Sequence, residues 1–307
     1  MGTIIGGKLP RGKAASETAD RVEATVALVE RRGYALPASR LGELCLGGPR
    51  SEAEVLTTVA SSSSLRLLHG LVVGPGLAPA APAIAFRARA HQTQANAYME
   101  ATLRFVHALV RVSPYVLGVA VAGSLASGGF VESDDVDLNL LVEDGHRHIA
   151  YVTLNALGVL HALRHRGKPT DAHTRRPLAP RLMTANLILE RSQCLPLVRQ
   201  DAAMAYELLC SRPVFGTGRW RELVEANTKL IEHLPQLEAW PPAADAPEPG
   251  SRVPGWLFPA WADAPARALG SAGWHWMQWT RRRDPHALAR VAFVRETMRP
   301  YALFEDR

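Results

Sequence analysis

The stretch Val119-Ala-Val-Ala-Gly-Ser-Leu-Ala-Ser-Gly-Gly-Phe-Val-Glu-Ser-Asp-Asp-Val-Asp-Leu-Asn-Leu-Leu-Val142 decides the fold. Residues 115–122 form an apolar, Val-rich run of buried-strand character, and Gly123-Ser124 closes it with the freedom in φ that a tight strand-to-helix turn needs. Backbone N–H groups at such a turn, beside a Ser hydroxyl, suit a phosphate. Residues 135–142 alternate, so Asp135, Asp137 and Asn139 share one strand face while Val136, Leu138 and Leu140 share the other. The two carboxylates then converge on one point. Unpaired, they would repel and one would stay protonated near neutral pH, whereas a cation keeps both ionised. An all-oxygen donor set favours Mg²⁺ or Mn²⁺, which keep several waters and take substrate phosphates as further ligands. The stretch reads as a phosphate cradle facing a divalent-metal site; the competing reading is a surface strand whose acids are solvated.

Gly123-Ser124, a linker containing Ser127-Gly128-Gly129, and then Ser133-Asp134-Asp135-Val136-Asp137-Leu138 resemble the signature of the nucleotidyltransferase superfamily of the DNA polymerase β type, which includes the aminoglycoside and minimal nucleotidyltransferases. The resemblance implies a mixed sheet with Gly-Ser at the end of its first strand, Asp135 and Asp137 as catalytic metal ligands, and transfer of a nucleoside monophosphate from an NTP with loss of pyrophosphate. The resemblance also implies that Gly123, Ser124, Ser127, Ser133 and Asn186 fall at nucleotide-contacting positions. A wider resemblance joins bacterial chains of about this length that carry an N-terminal winged helix, a long helix and then the nucleotidyltransferase core. Its pieces here are Arg31-Arg-Gly-Tyr-Ala-Leu-Pro37, Arg87-Ala-Arg89, Thr184-Ala-Asn186, Tyr206-Glu207, Pro213-Val-Phe-Gly216 and Asn227. Related folds place a third carboxylate on the later strand, where it binds metal or deprotonates the acceptor hydroxyl. Asn186 stands at that place and takes no proton. Glu190, further along the same predicted strand face, and Glu207, on the following helix, are the two candidates to substitute for it.

The 307 residues, 47% hydrophobic and 21% charged, suffice for one large domain or two modest ones. No apolar run approaches a transmembrane helix and the N-terminus lacks an apolar signal region, so a cytoplasmic protein without membrane association is expected. Cys45, Cys194 and Cys210, odd in number and at no metal-like spacing, read as reduced thiols. The net charge of +6 is carried almost wholly by arginine, and Arg164, Arg166, Lys168, Arg175, Arg176 and Arg181 cluster against Asp171 alone. That cluster is either a solvated loop or a basic surface facing a triphosphate or an anionic acceptor.

Elsewhere the pattern predicts a flexible N-terminus over 1–18, with helical periodicity over 16–32. A short helix near 40–46 follows, then a third helix opened by the capping pattern Ser51-Glu-Ala-Glu54, and a hairpin over 66–73 turning at Gly70. Three helices and a hairpin suggest a winged-helix-like unit over 19–83, ended by a Pro/Ala linker at 77–83. Its third helix has no basic residue, which counts against duplex reading and against nucleic acid as a partner. A long helix from 84 to 112 leads into a core assigned to 84–215, with a helix over 147–164 and a strand over 181–190. A helical C-terminal region covers 216–307. Within it, 240–265 is expected to be an extended connection and 285–303 a last helix. Trp274, Trp276 and Trp279 beside Arg281-Arg282-Arg283 read as the core-facing side of a helix, with an aromatic nucleobase platform as the sharper alternative.

The expected fold class is therefore α+β: a nucleotidyltransferase core with a small mixed sheet, flanked by winged-helix-like and helical regions. The expected activity is metal-dependent transfer of a nucleoside monophosphate, AMP from ATP in the first instance, to a hydroxyl or phosphate of a small-molecule acceptor. Two other readings stay open: a nucleotide-binding module impaired by Asn186, and a DNA-binding regulator whose core domain senses a ligand.

Overall fold

The computed structural model describes residues 11–165, 167–169, 183–240, 252–282, 284, 285, 288 and 289. The chain divides into two units, residues 1–86 with 232–236, and residues 87–231 with 237–307.

Unit 1 contains α1 (Arg11–Arg31), α2 (Ala38–Glu43), α3 (Glu52–Ser61) and the antiparallel pair β1 (Arg66–Leu68) and β2 (Leu71–Val73). Val22, Val26 and Val29 recur at helical spacing and are buried. α1 starts at Arg11, so residues 11–18, expected as part of a flexible N-terminus, are helical; Lys13-Ala14-Ala15 supply strong helix formers there. Ser51 caps α3 reciprocally with Glu54, as its sequence pattern predicts. His69 and Gly70, both at positive φ (52° and 78°), form the two-residue turn whose twist matches a tight hairpin. Leu36 adds an isolated bridge to Val72. The predicted Pro/Ala linker is not extended: residues 78–80 make a 3₁₀ turn and α4 (Ala81–Val112) begins directly after it. Pro82 falls in the first helical turn, where its missing N–H is not needed, and Ala81 and Ala85 bury against Ala35, Leu71 and Val73.

Unit 2 is built on β3 (Val116–Ala122), the short α5 (Gly123–Ser127), β4 (Val136–Val142), α6 (Arg147–Ala162), β5 (Met183–Glu190), α7 (Ala202–Cys210), β6 (Arg212–Phe215), α8 (Thr217–Glu225) and α10 (Asp263–Arg281), while α9 (Thr228–His233) has its last two residues in unit 1. The sheet order is β5-β4-β3-β6; β3 is antiparallel to β4 and β6, while β4 and β5 are parallel, so the sheet is small and mixed. One face carries Val119, Val121, Val136, Leu138, Leu140, Val142, Met183 and Ile188. It packs with Phe105, Val106, Leu109 and Val110 of α4 and Ala150 and Leu154 of α6. The opposite face meets α7 and α8: the fully buried Trp220 lies so close to Gly118 that a Cβ there would stand 2.9 Å from its Nε1.

Cys45 and Cys194 are buried thiols outside any disulfide, and burial pushes the Cys194 thiol up to about 12. Among the described residues no helix is long and apolar enough to cross a membrane. The expected extended connection is corrected over 252–262. Val253 donates to the Arg111 carbonyl (2.8 Å), two 3₁₀ turns follow, and Asp263 opens α10. Residues 241–251 and most of the last predicted helix lie outside the described residues. The tryptophans also differ from the core-facing expectation. Trp276 and Trp279 are about half exposed, stacked at 5.2 Å, with the Arg282 guanidinium 4.1 Å from the Trp279 ring. Ala266 and Gly270, one turn apart, form the buried side of α10 instead, because small residues let that helix approach closely.

Candidate functional site

The site forms where β3 ends and β4 begins. Antiparallel register sets Ala122 opposite Asp137, so the turn after one strand abuts the carboxylate that opens the other. Gly123 adopts φ +62°, and a Cβ built on it would lie 2.1 Å from Asp137 Oδ2. Both the backbone conformation and the space therefore require glycine. Asp137 Oδ1 accepts a hydrogen bond from the Thr184 hydroxyl (3.0 Å), which orients the carboxylate from the neighbouring strand. Asp135, immediately before β4, and Asp137 are half-buried, while Val136 and Leu138 are fully buried, as strand alternation predicts.

Ser124 is engaged within the protein. Its hydroxyl donates to Asp134 Oδ2 (2.8 Å), which also accepts from Arg87 Nη2 (2.5 Å) and the Val131 N–H (3.4 Å). Lys168 donates to the Asp134 carbonyl and lies 5.9 Å from the Tyr98 ring centroid. Ser127 donates back to the Gly123 carbonyl (2.8 Å), and Ser133 is half-buried in the turn before the acids. Phe130, fully buried against Tyr98 at 4.8 Å, anchors this connection, and its N–H donates to His91 Nδ1 (3.3 Å). Burial holds the His91 imidazole below its ordinary value.

Sequence reasoning missed the roles of Arg87, Asp134 and Lys168. Arg87 was marked only by a motif 47 residues upstream of Asp134, and Asp134 is chemically indistinguishable from its neighbour Asp135 until the fold turns them apart. Of the basic cluster, Lys168 reaches the site loop and Arg164 lies within the 3₁₀ turn after α6, while Arg166, Arg175, Arg176 and Arg181 lie outside the described residues.

Beyond Asp137 a buried polar row runs along the same face. Asn186 Nδ2 donates both to Asn139 Oδ1 (2.9 Å) and to Glu207 Oε1 (2.9 Å). Asn139 is fully buried and Glu207 nearly so. Thus Glu207 joins the row that starts at Asp137, held by the asparagine at the third-acid position. Glu190 does not. The β4–β5 register shifts between Leu138, paired with Ala185, and Asn139, paired with Leu187, leaving Asn186 as the extra residue of a bulge. The expectation that Thr184, Asn186, Ile188 and Glu190 share one face is overturned, because the bulge moves Ile188 and Glu190 onto the face opposite Thr184. Glu190 also pairs with Val142, about 17 Å along the strands from Asp137. There its carboxylate accepts the Gly145 N–H (2.9 Å) and takes part in a cap on residues 191–194.

Among the described residues, no group of three or more His, Cys, Asp or Glu is placed to hold a metal ion. The Asp135–Asp137 pair suits a hard divalent ion through its donor chemistry: two carboxylates at alternate positions, one oriented by Thr184, leave most of an octahedral shell to water and substrate oxygens. No family model, curated protein or solved structure matches this chain.

Proposed function

We propose that unit 2 is a nucleotidyltransferase core that moves a nucleoside monophosphate from an NTP, ATP in the first instance, to a hydroxyl or phosphate of a small-molecule acceptor. The observation that carries the reading is the abutment of the Gly123 turn and the Asp137 carboxylate, with Asp135 one strand period away. A phosphate chain lying on the turn would have its α-phosphorus beside both acids.

Asp135 and Asp137 would hold Mg²⁺ or Mn²⁺, which when bound neutralises charge building on the phosphoryl oxygens and on the leaving pyrophosphate. Thr184 fixes the Asp137 carboxylate, and the turn at Gly123-Ser124 seats the β- and γ-phosphates. The acceptor oxygen attacks the α-phosphorus in line, forming one P–O bond as the bond to pyrophosphate breaks. The acceptor's proton goes to solvent or to a carboxylate of the site. Asn186 takes no proton, and its Nδ2 instead holds Glu207. Most of the rate then rests on positioning and electrostatics.

In unit 1 the order helix, bridge strand, helix, helix, hairpin supports a winged-helix-like reading. Its α3 has no basic side chain, so a small-molecule or packing role is preferred over duplex binding. One observation favours a second reading, a nucleotide-binding module with impaired turnover: Asn186 at the third-acid position has both Nδ2 hydrogens committed within the protein.

The test is pyrophosphate release with each NTP and Mg²⁺ or Mn²⁺ in the presence of a metabolite mixture, comparing wild type with Asp135→Ala/Asp137→Ala. Release that disappears in the double variant supports the transferase. Saturable NTP binding without release in any mixture supports the binding module. Absence of NTP binding refutes both.

A further inference from the structure

Asp134 is left unused by the proposed chemistry, yet its side chain is engaged from three segments at the turn. Its Oδ2 accepts from three donors on three segments: Arg87 on α4, Ser124 on α5, and the Val131 N–H. A guanidinium, a hydroxyl and a backbone N–H converging on one oxygen is the donor set that binds a phosphate oxygen. The Asp134 side chain is only 15% exposed and the Arg87 side chain 38%, so the anion is inside while its cation remains reachable from solvent.

We infer that Asp134 is an internal competitor: its carboxylate occupies the subsite for the terminal phosphate of the triphosphate, and Arg87 with Ser124 forms that subsite. The inference rests on the nucleotide reading above. Exchange requires no movement of the chain as a whole. Phe130 is buried against Tyr98, and Lys168 holds the Asp134 carbonyl, so both flanks of the turn are anchored. Rotation of the Asp134 side chain alone frees Ser124 and Arg87. A ligand with several anionic oxygens then outcompetes a single carboxylate, whereas a monoanion does not. The selected substrate class is accordingly the triphosphate, and product pyrophosphate leaves as Asp134 returns.

The experiment is calorimetric titration of the full chain with inorganic tripolyphosphate and, separately, with ATP·Mg²⁺, for wild type, Asp134→Ala, Arg87→Ala and the double variant, each checked by circular dichroism and thermal melting. Removing the competitor should tighten tripolyphosphate about tenfold, the scale of one charge-assisted contact, and removing Arg87 from the Asp134→Ala protein should reverse the gain. Should Asp134→Ala fail to fold, Asp134→Asn, which keeps the shape and loses the charge, carries the same expectation. Unchanged or weaker tripolyphosphate binding in a folded Asp134 variant that still binds ATP·Mg²⁺ overturns the inference and leaves the nucleotide reading standing. Failure of every folded variant to bind either probe overturns both.

Discussion

Replacing Gly123 by alanine tests whether the turn and the carboxylate are built against each other. An L-residue at φ +62° costs about 1–2 kcal/mol from backbone sterics alone. The new methyl would then meet Asp137 Oδ2 at 2.1 Å, so the carboxylate must rotate away from Thr184. Losing that hydrogen bond from a half-buried carboxylate costs about 1 kcal/mol, and the off-rotamer side chain about another 1 kcal/mol. Gly128 is the internal control. It has φ +92°, and a Cβ there meets nothing within 4 Å, so Gly128→Ala should show the backbone cost without the clash. Equilibrium urea unfolding should therefore place Gly123→Ala about 2 kcal/mol below Gly128→Ala, a midpoint difference of about 0.7 M for a slope of about 3 kcal/mol/M. Two variants equal within about 0.5 kcal/mol would refute the packing of Asp137 on the turn.

Other sites give independent expectations. Asn227 is fully buried, donating to the Cys194 and Leu223 carbonyls (2.8 and 2.6 Å) and accepting the Leu197 N–H (2.7 Å). Asn227→Ala leaves all three backbone groups without that partner and should cost about 3–5 kcal/mol in denaturant unfolding, and a loss under 1 kcal/mol would show that water replaces the side chain. Asp263 accepts from the His148 and Ile149 N–H groups (2.7 and 2.9 Å) and from His148 Nδ1 (2.6 Å), capping α6 from a distant segment. Burial alone would raise its carboxyl, but these hydrogen bonds and the His148 charge outweigh burial and hold it below the ordinary aspartate value. A depressed pKa stabilises the fold above the unfolded value near 3.8, and that contribution is lost as pH falls through the folded value. Asp263→Ala should cost about 2–3 kcal/mol at pH 7 and flatten the acid limb of a stability–pH curve; an unchanged limb would assign acid sensitivity elsewhere.

Local pattern made much of this protein legible. The β3–Gly123–β4 segment, the Ser51 cap, the hairpin at Gly70 and the helix over 147–164 follow from periodicity and turn chemistry acting within a few residues. The spacing of Asp135 and Asp137, one strand period apart and both half-buried, is readable for the same reason, since strand alternation sets it without help from the rest of the chain. Glu190 was misplaced because a single extra residue at Asn186 reverses every later side chain, and a bulge of that kind has no period to betray it. Hydrophobicity alone places Trp276 and Trp279 inward, yet α10 buries Ala266 and Gly270, since close approach of a helix selects small residues over large ones.

By itself, then, the sequence determined β1 to β5, the Gly123 turn and the alternate spacing of Asp135 and Asp137, because each depends on neighbours in the chain. Tertiary structure alone decided which carboxylate does what. Arg87 and Ser124 claim Asp134, Thr184 orients Asp137, Asn186 retains Glu207, and Gly145 takes Glu190. These pairings join residues from separate elements, and a carboxylate's chemistry is set by the donors that surround it rather than by its place in the chain.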